Sequence, residues 1–353
     1  MPETMIFMRA PLSTSLRILS GYPEPRFEIP LSLSTPMVTL GDVYAARRRI
    51  GPWVRKTPLE HSPLLSEITK GEVWLKLENR QLTGSFKIRG ASNRIALLTP
   101  EERRRGIVAA SSGNHAQGVA YASRDLGVKA VIVVPGNTPK VKRDAIRALG
   151  ADLIVQGHEY MDAERLAQAM SREGRMPFLS PYNDPDLIAG QGTVALEMME
   201  DGPPLDTVLV PVSGGGLISG VATVMKAASR AEVVGVQTKA SPVMHESIKE
   251  GRIVEITMFD TIAEGLHGGI EQGSVTFPIC QGLVDSWIDV EEESIMDALS
   301  LMLLRHHEVI EGSGAVGIAA LMEDPQRFVG KRVGIIISGG NIDEELLRRI
   351  ASN

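Results

Sequence analysis

Four stretches of the chain repeat one layout: an unbroken apolar run, a short loop of Gly, Ser and Asn, then apolar residues at helical spacing. "GIVAA" leads through "SSGNHAQG" into "VAYASRDLG", and "KAVIVVP" leads through "GNTPK" into "VKRDAIRALG". "DTVLVPV" leads through "SGGGLISG" into "VATVMKAAS", and "RVGIIIS" leads through "GGN" into "IDEELLRRI". An apolar run without polar alternation predicts a strand buried on both faces, and the helices between such strands supply the covering layers. The pattern predicts an α/β fold made of open, twisted parallel sheets with helices on both faces. Around it, "LGDVYAARRRIGPWV" reads as an amphipathic helix and "EVWLKLEN" as a strand. In open sheets of this kind ligands bind beyond the carboxyl ends of the strands, and the polar loops just quoted all fall there.

Length and composition narrow the function classes. With 353 residues, 43% of them hydrophobic and 23% charged, the chain has the material for about two globular domains. A net charge of -6 lacks the basic footprint of a nucleic-acid or acidic-membrane binder. No apolar run approaches the roughly 18 residues that span a bilayer. Cys280, the single cysteine, cannot form an internal disulfide. The expected compartment is the cytoplasm. Residues 1–37 read differently: they are proline-rich and carry no apolar block of the kind a secretory leader needs, so an N-terminal arm is expected there.

Two loops and one lysine carry candidate chemistry. In "PVSGGGLISG" the consecutive glycines Gly214, Gly215 and Gly216 let main-chain N–H groups approach a ligand, and the helix behind them adds the positive end of its dipole. That combination suits a phosphate. A dinucleotide does not fit: counted from Gly214, the third glycine of G-x-G-x-x-G should fall on Ser219 but arrives at Gly220, and Gln237 ends the next strand where an acid is needed. The ATP-type pattern fails too, because Val221 rather than Lys follows Gly220. A smaller phosphate remains, that of pyridoxal phosphate included. In "SSGNHAQG", Ser111 or Ser112 could cap a helix starting near His115, or the same hydroxyls, amide and N–H groups could hold a carboxylate. Lys87 lies between a Thr-Gly-Ser turn and a run of small residues, beside Phe86. An amine drawn out of water there has a lowered pKa and becomes a nucleophile for an aldehyde. Ser338, in "SGGN", offers a neutral hydroxyl at a strand end.

From about Val38 to about Ile350 the chain resembles the threonine dehydratase and serine racemase group of fold type II pyridoxal-phosphate enzymes, whose fold is that of the tryptophan synthase beta chain. The resemblance rests on ordered blocks: "KTPLEHSPLLSE", "VWLKLENRQLTGSFKIRGA", "SSGNHAQGVA", "GQGTVALE", "PVSGGGLISG", "TIAEGL", "EGSGAVGIAAL" and "ISGGNID". It implies pyridoxal 5'-phosphate as cofactor, Lys87 as the Schiff-base lysine and later general base, and Phe86 against the pyridine ring. It further implies Asn114 on the ring hydroxyl oxygen, Ser213, Gly214, Gly215, Gly216 and Leu217 on the phosphate, and Ser338 on the pyridine nitrogen. Ser111, Asn114 and His115 would line the substrate carboxylate pocket, with Glu311 near the ring. The implied reaction is β-elimination on L-threonine or L-serine, giving a 2-oxo acid and ammonia.

Some positions keep alternatives open. Ser112 stands where a racemase keeps a serine opposite the lysine, so racemisation stays open. "LHGGIEQGSVTFPI" resembles a subgroup acting on other 3-hydroxyamino acids, such as phenylserine, hydroxyaspartate or hydroxyectoine-pathway compounds. Gln237 replaces a cation-binding glutamate of the racemase-like members, and no metal ligand set is assigned. β-Replacement enzymes of cysteine or cystathionine synthesis share the fold, and a binding protein that lost its chemistry is a further class. With the chain ending at Asn353, feedback through an appended regulatory domain is not expected. The partner is a small hydroxyamino acid, not nucleic acid or membrane. The expected assembly is a homodimer or homotetramer, and the expected domains are 38–106 with 187–353, and a smaller mobile one at 107–186.

Overall fold

The computed structural model describes residues 38–174 and 176–352, and the expected arm at residues 1–37 lies outside the described residues. Among the described residues nine strands form two sheets: β1 (Leu59–His61), β2 (Glu72–Leu77), β3 (Ile107–Ala110), β4 (Ala130–Val134), β5 (Asp152–Val155), β6 (Thr207–Pro211), β7 (Glu232–Thr238), β8 (Ser286–Val290) and β9 (Arg332–Ile337). The larger sheet runs β1-β2-β9-β6-β7-β8 and the smaller β3-β4-β5. All pairs are parallel except β1 with β2. The antiparallel edge was not legible in the hydrophobic pattern, because "LEH" has only three residues and none is buried.

Burial follows from the apolar runs. Every residue of β3, β4 and β6 is buried. Side chains alternate across a strand, so β6 feeds two cores: Val208 and Val210 pack on one face of the larger sheet, Leu209 on the other. The first face is covered by helices Leu40–Ile50, Pro185–Asp201 and Gly216–Ala228, the second by Glu292–Leu301 and Gly312–Glu323. Cys280 is fully buried in the first core, where loss of hydration raises its thiol pKa to about 12. The smaller sheet has cores of its own, and the helix Lys87–Ala96 contributes Ala91 and Ile95 to one of them. "EERRR" forms a short helix, Pro100–Arg105, with no buried residue and a capping box between Thr99 and Glu102. Among the described residues no helix is long and apolar enough to cross a membrane.

Chain direction places the polar loops. β3, β6 and β9 end at Ala110, Pro211 and Ile337, and the loops Ser111–Gly113, Ser213–Gly215 and Ser338–Gly340 follow directly. The loop after β2 leads to Lys87, and it is zipped to the loop after β9: Phe86 N–H donates to Ser338 O at 3.1 Å and Gly340 N–H to Gly84 O at 2.8 Å.

Candidate active site

A cleft of about 1630 Å3 opens where these loops converge, lined by Phe86, Lys87, the Ser111–His115 segment, Ser213–Leu217, Glu311 and Ser338. The structure therefore brings every candidate residue of the sequence analysis to one place, although the loops lie as much as 251 residues apart, from Lys87 to Ser338.

Lys87 is the first residue of its helix, and its Nζ donates to Pro181 O at 3.0 Å. Protein atoms crowd the ammonium while the residue keeps partial exposure to the cleft, and this desolvation lowers its pKa to about 8 against the opposing pull of Glu311. Nζ lies 5.2 Å from the centroid of the Phe86 ring. No carboxylate stands within hydrogen-bonding distance of it among the described residues. An amine so placed is a nucleophile held near neutrality.

The glycine loop is shaped by steric need. Gly215 has φ of +89°, a left-handed conformation that favours glycine, and it caps the helix Gly216–Ala228. A Cβ on Gly214 would run into the Tyr182 ring. Tyr182 thus covers the loop, with its own hydroxyl accepting from Glu271 N–H at 2.8 Å. Thr276 Oγ1 donates to Gly214 O at 2.6 Å, which turns the carbonyl away and leaves N–H groups for a ligand. Neither Tyr182 nor Thr276 was found by sequence reasoning, since no motif marks a residue whose work is to pack against a glycine.

On the opposite wall, the helix Asn114–Asp125 starts with Gly113 as its cap and with no side-chain cap bond. Ser111 Oγ accepts from Gly113 N–H at 3.3 Å, so its hydroxyl shapes the turn rather than capping the helix. The first N–H groups of the helix, from Asn114 onward, have no intrahelical acceptor and face the cleft region with the positive dipole end. Asn114 is held at both ends of its amide: Nδ2 donates to Glu311 Oε1 at 2.7 Å, and Oδ1 accepts from Asn341 Nδ2 at 2.7 Å. Burial raises the Glu311 pKa to about 7, with the Asn114 bond acting against that rise and Glu264 adding to it. Asn341 is a third residue that sequence reasoning did not single out, although it stands in the quoted "SGGN". His115 is 3% exposed, and its Nε2 lies 3.0 Å from Leu179 O. Ser112 lines the cleft on this wall.

Behind the lysine helix lies a buried charge cluster. Arg89 Nε and Nη2 donate to Glu78 at 2.8 Å each, and Nη1 and Nη2 donate to Glu197 at 2.7 and 2.8 Å. Lys76 Nζ donates to the same Glu197 at 2.6 Å. Desolvation works against the Arg89 charge, but the two acids outweigh it and raise its pKa, so the guanidinium stays ionised. Arg89 anchors the helix that carries Lys87 two residues away.

Away from the cleft, two of the other histidines take ordinary partners. His306 Nε2 meets Ser62 Oγ at 3.2 Å, and His245 Nδ1 meets Asp289 Oδ2 at 2.7 Å. The buried Gln237 donates through Nε2 to Val212 O at 3.2 Å and Ser241 O at 3.4 Å, and accepts through Oε1 from His245 N–H at 2.8 Å. Its amide is thus fully engaged with main chain.

Comparison with known proteins bears on the same cleft. The family model described as "Pyridoxal-phosphate dependent enzyme" matches residues 50–339. The L-threonine ammonia-lyase of Thermotoga maritima is 46% identical over 315 residues, 89% of this chain and 78% of that protein. Among solved structures, maize serine racemase superposes with a TM-score of 0.84 at 34% identity, covering 90% of this chain and 98% of that one. The processed form of threonine deaminase isoform 2 from Solanum lycopersicum gives a TM-score of 0.82 at 32% identity, covering 90% of this chain and 95% of that one.

The residues present fit pyridoxal 5'-phosphate. An aldehyde finds in Lys87 an amine that readily gives up its proton, a phosphate finds a glycine cradle that side chains would fill, and a flat ring finds Phe86 beside the amine. The chain belongs to the family of pyridoxal-phosphate dependent enzymes, with the fold type II architecture of its serine racemase and threonine deaminase neighbours.

Proposed function

We propose that the protein is an L-threonine and L-serine ammonia-lyase, converting threonine to 2-oxobutanoate and ammonia and serine to pyruvate and ammonia. The observation that carries this reading is Lys87, a desolvated amine without a carboxylate partner, opening onto a cleft that also holds the glycine cradle. The cofactor, when bound, supplies an electron sink conjugated to the substrate's Cα.

Lys87 would hold the cofactor's aldehyde carbon and, once displaced by the substrate amine, take the Cα proton at Nζ. Main-chain N–H groups of Ser213 to Leu217 would bind the phosphate at the start of the helix Gly216–Ala228. Phe86 would pack on the ring, Asn114 would donate its second Nδ2 hydrogen to the ring hydroxyl oxygen, and Ser338 would meet the ring nitrogen. Because Glu311 and Asn341 fix the Asn114 amide, that donor is aimed before any ligand arrives. Ser111, Asn114 and His115 would hold the substrate carboxylate, largely through N–H groups of the helix start. A neutral Ser338 hydroxyl would not keep the ring nitrogen protonated as a carboxylate would, which favours prompt loss of the β-hydroxyl.

The smaller unit, residues 107–186, would close over substrate and exclude water. Lys142 on its wall already reaches Glu264 on the other, 2.7 Å apart. The names of the threonine ammonia-lyase and threonine deaminase relatives support the substrate choice. A cytoplasmic location, supported by the single, buried cysteine, and assembly as a homodimer or homotetramer complete the reading. Oxo-acid release from L-threonine, L-serine, phenylserine and 3-hydroxyaspartate by the purified holoenzyme tests it. Turnover highest with threonine or serine is expected, and absence of oxo acid from both would overturn the reading.

A further inference from the structure

His115 is a buried titratable group that the steps above use only through its main chain. Its ring carries an unmet need. Leu179 O accepts from Nε2 at 3.0 Å, so Nε2 bears the hydrogen. Burial, reinforced by the nearby Lys87 charge, pushes the imidazole pKa down to about 3, so the ring is neutral and Nδ1 is a bare acceptor. Nδ1 is buried and has no hydrogen-bond partner. Buried acceptors are rarely left so, and each such case points to a missing donor.

The substrate carboxylate cannot be that donor, because it has no hydrogen to give. The packing of the two helices points elsewhere. A Cβ on Gly118 would lie 3.0 Å from Ile88 N and 3.1 Å from Lys87 C, so the helix Asn114–Asp125 sits directly on the first turn of the lysine helix. His115 lies three residues before Gly118, on the same face. Leu179 and Pro181, the acceptors for His115 and Lys87, belong to one short segment running between them. As an ammonium, Lys87 has three hydrogens, and Pro181 O takes one. Of the other titratable groups, Glu311, at the cap of the helix Gly312–Glu323, pulls on the ammonium, and Tyr182 follows Pro181 in the chain and lines the same cleft; Nζ donates to neither.

We propose that His115 positions Lys87, its Nδ1 accepting a hydrogen bond from the Lys87 ammonium after that residue has left the cofactor and taken the substrate's α-proton. The proposal rests on the assignment of Lys87 as cofactor-bearing lysine and base. In the transfer the Cα–H bond breaks, an N–H bond forms at Nζ, and the electron pair stays on the substrate carbon, conjugated with the cofactor ring. Pro181 O and His115 Nδ1 then grip the ammonium from two sides. They hold it beside the carbon it has just deprotonated.

Two holoenzyme variants separate this role from carboxylate binding. His115→Gln places its amide near the Nε2 position, keeping the Leu179 contact without an acceptor at Nδ1, whereas His115→Asn places Oδ1 near Nδ1. With L-threonine, His115→Gln is expected to lower kcat on the order of 10- to 100-fold while KM stays within about threefold. Its kcat–pH profile should move its acidic limb to lower pH, since the ammonium loses a stabilising acceptor. His115→Asn should recover most of the loss. Nitrogen-15 spectra of the histidine-labelled wild-type holoenzyme should show a histidine with bare Nδ1 that is absent from both variants. Borohydride labelling at Lys87 in each protein confirms an intact site. A raised KM with unchanged kcat and pH profile, equal losses in Gln and Asn variants, or a protonated Nδ1 would overturn the proposal. Should the wild-type label itself lie elsewhere than Lys87, the proposed function has failed first, and the two failures are distinguishable.

Discussion

Lys76 and Lys87 lie eleven positions apart, and both amines are pulled down from the usual lysine range chiefly by desolvation, yet their surroundings make them opposites. Lys76 is fully buried, and its Nζ donates to Glu197 at 2.6 Å and to Thr57 O at 2.8 Å. With Arg89, Glu78 and Glu197 it forms a closed set of two positive and two negative charges. Lys87 donates to a single neutral carbonyl and looks into the cleft. The carboxyl that pulls on it, Glu311, is itself raised to about 7 by burial, so its counter-charge is weak at neutral pH. Burial therefore does not mark the reactive amine. The missing counter-charge does, because a paired ammonium is stabilised in its protonated, non-nucleophilic form.

Substitution should pull the two sites apart, one in activity and the other in stability. Lys87→Ala is expected to lower oxo-acid release by more than about a thousandfold while leaving the denaturation midpoint nearly unchanged. Lys76→Met should do the reverse, retaining covalent cofactor but losing about 3 kcal/mol of stability in urea unfolding, because Glu197 and Glu78 are left with one cation. If Lys76→Met lost the cofactor and Lys87→Ala kept it, the comparison would be inverted. A smaller effect is expected from Gly214→Ala, whose new methyl meets the Tyr182 ring: cofactor binding measured by titration should weaken by about 2 kcal/mol.

The pH dependence sharpens the same contrast. Only the neutral amine attacks an aldehyde, and the Lys87 pKa is lowered to about 8. Cofactor attachment to the apoprotein should therefore level off above that pH and slow about tenfold per unit below it. The stability sign agrees: between pH 8 and the ordinary lysine range the unfolded chain binds the extra proton, so the apoprotein gains stability as pH rises through that window. The smallest change is expected from Ser112→Ala, which should keep dehydration within about threefold of wild type and abolish any D-serine formation detected by chiral chromatography.

Much of this was legible in the chain because strands and their following loops are local. β3, β4, β6 and β9 coincide with the quoted apolar runs, and the loops carrying Ser111, Ser213 and Ser338 follow them directly. Lys87 and the three glycines were readable for the same reason, since backbone need and helix starts leave a mark over a few residues. What escaped depends on distant partners. Tyr182 matters because Gly214 makes room for it, Asn341 because it meets Asn114 across the cleft, and Glu197 because it closes a circuit with Lys76 and Arg89. Glu292 is similar: it gathers Thr238, Thr261 and Ile262 N–H and so fixes the loop that leads into "AEGL". No spacing rule links residues so far apart in the chain. The three-residue edge strand β1 was likewise too short to leave a period.

Borohydride reduction of the holoenzyme, followed by peptide mapping of the trapped cofactor, tests the distinction between the two lysines most directly. The reduced label should lie on the peptide spanning Lys87, with Lys76 unmodified. A label on Lys76 or any other lysine, or no label on protein that has bound cofactor, would contradict it.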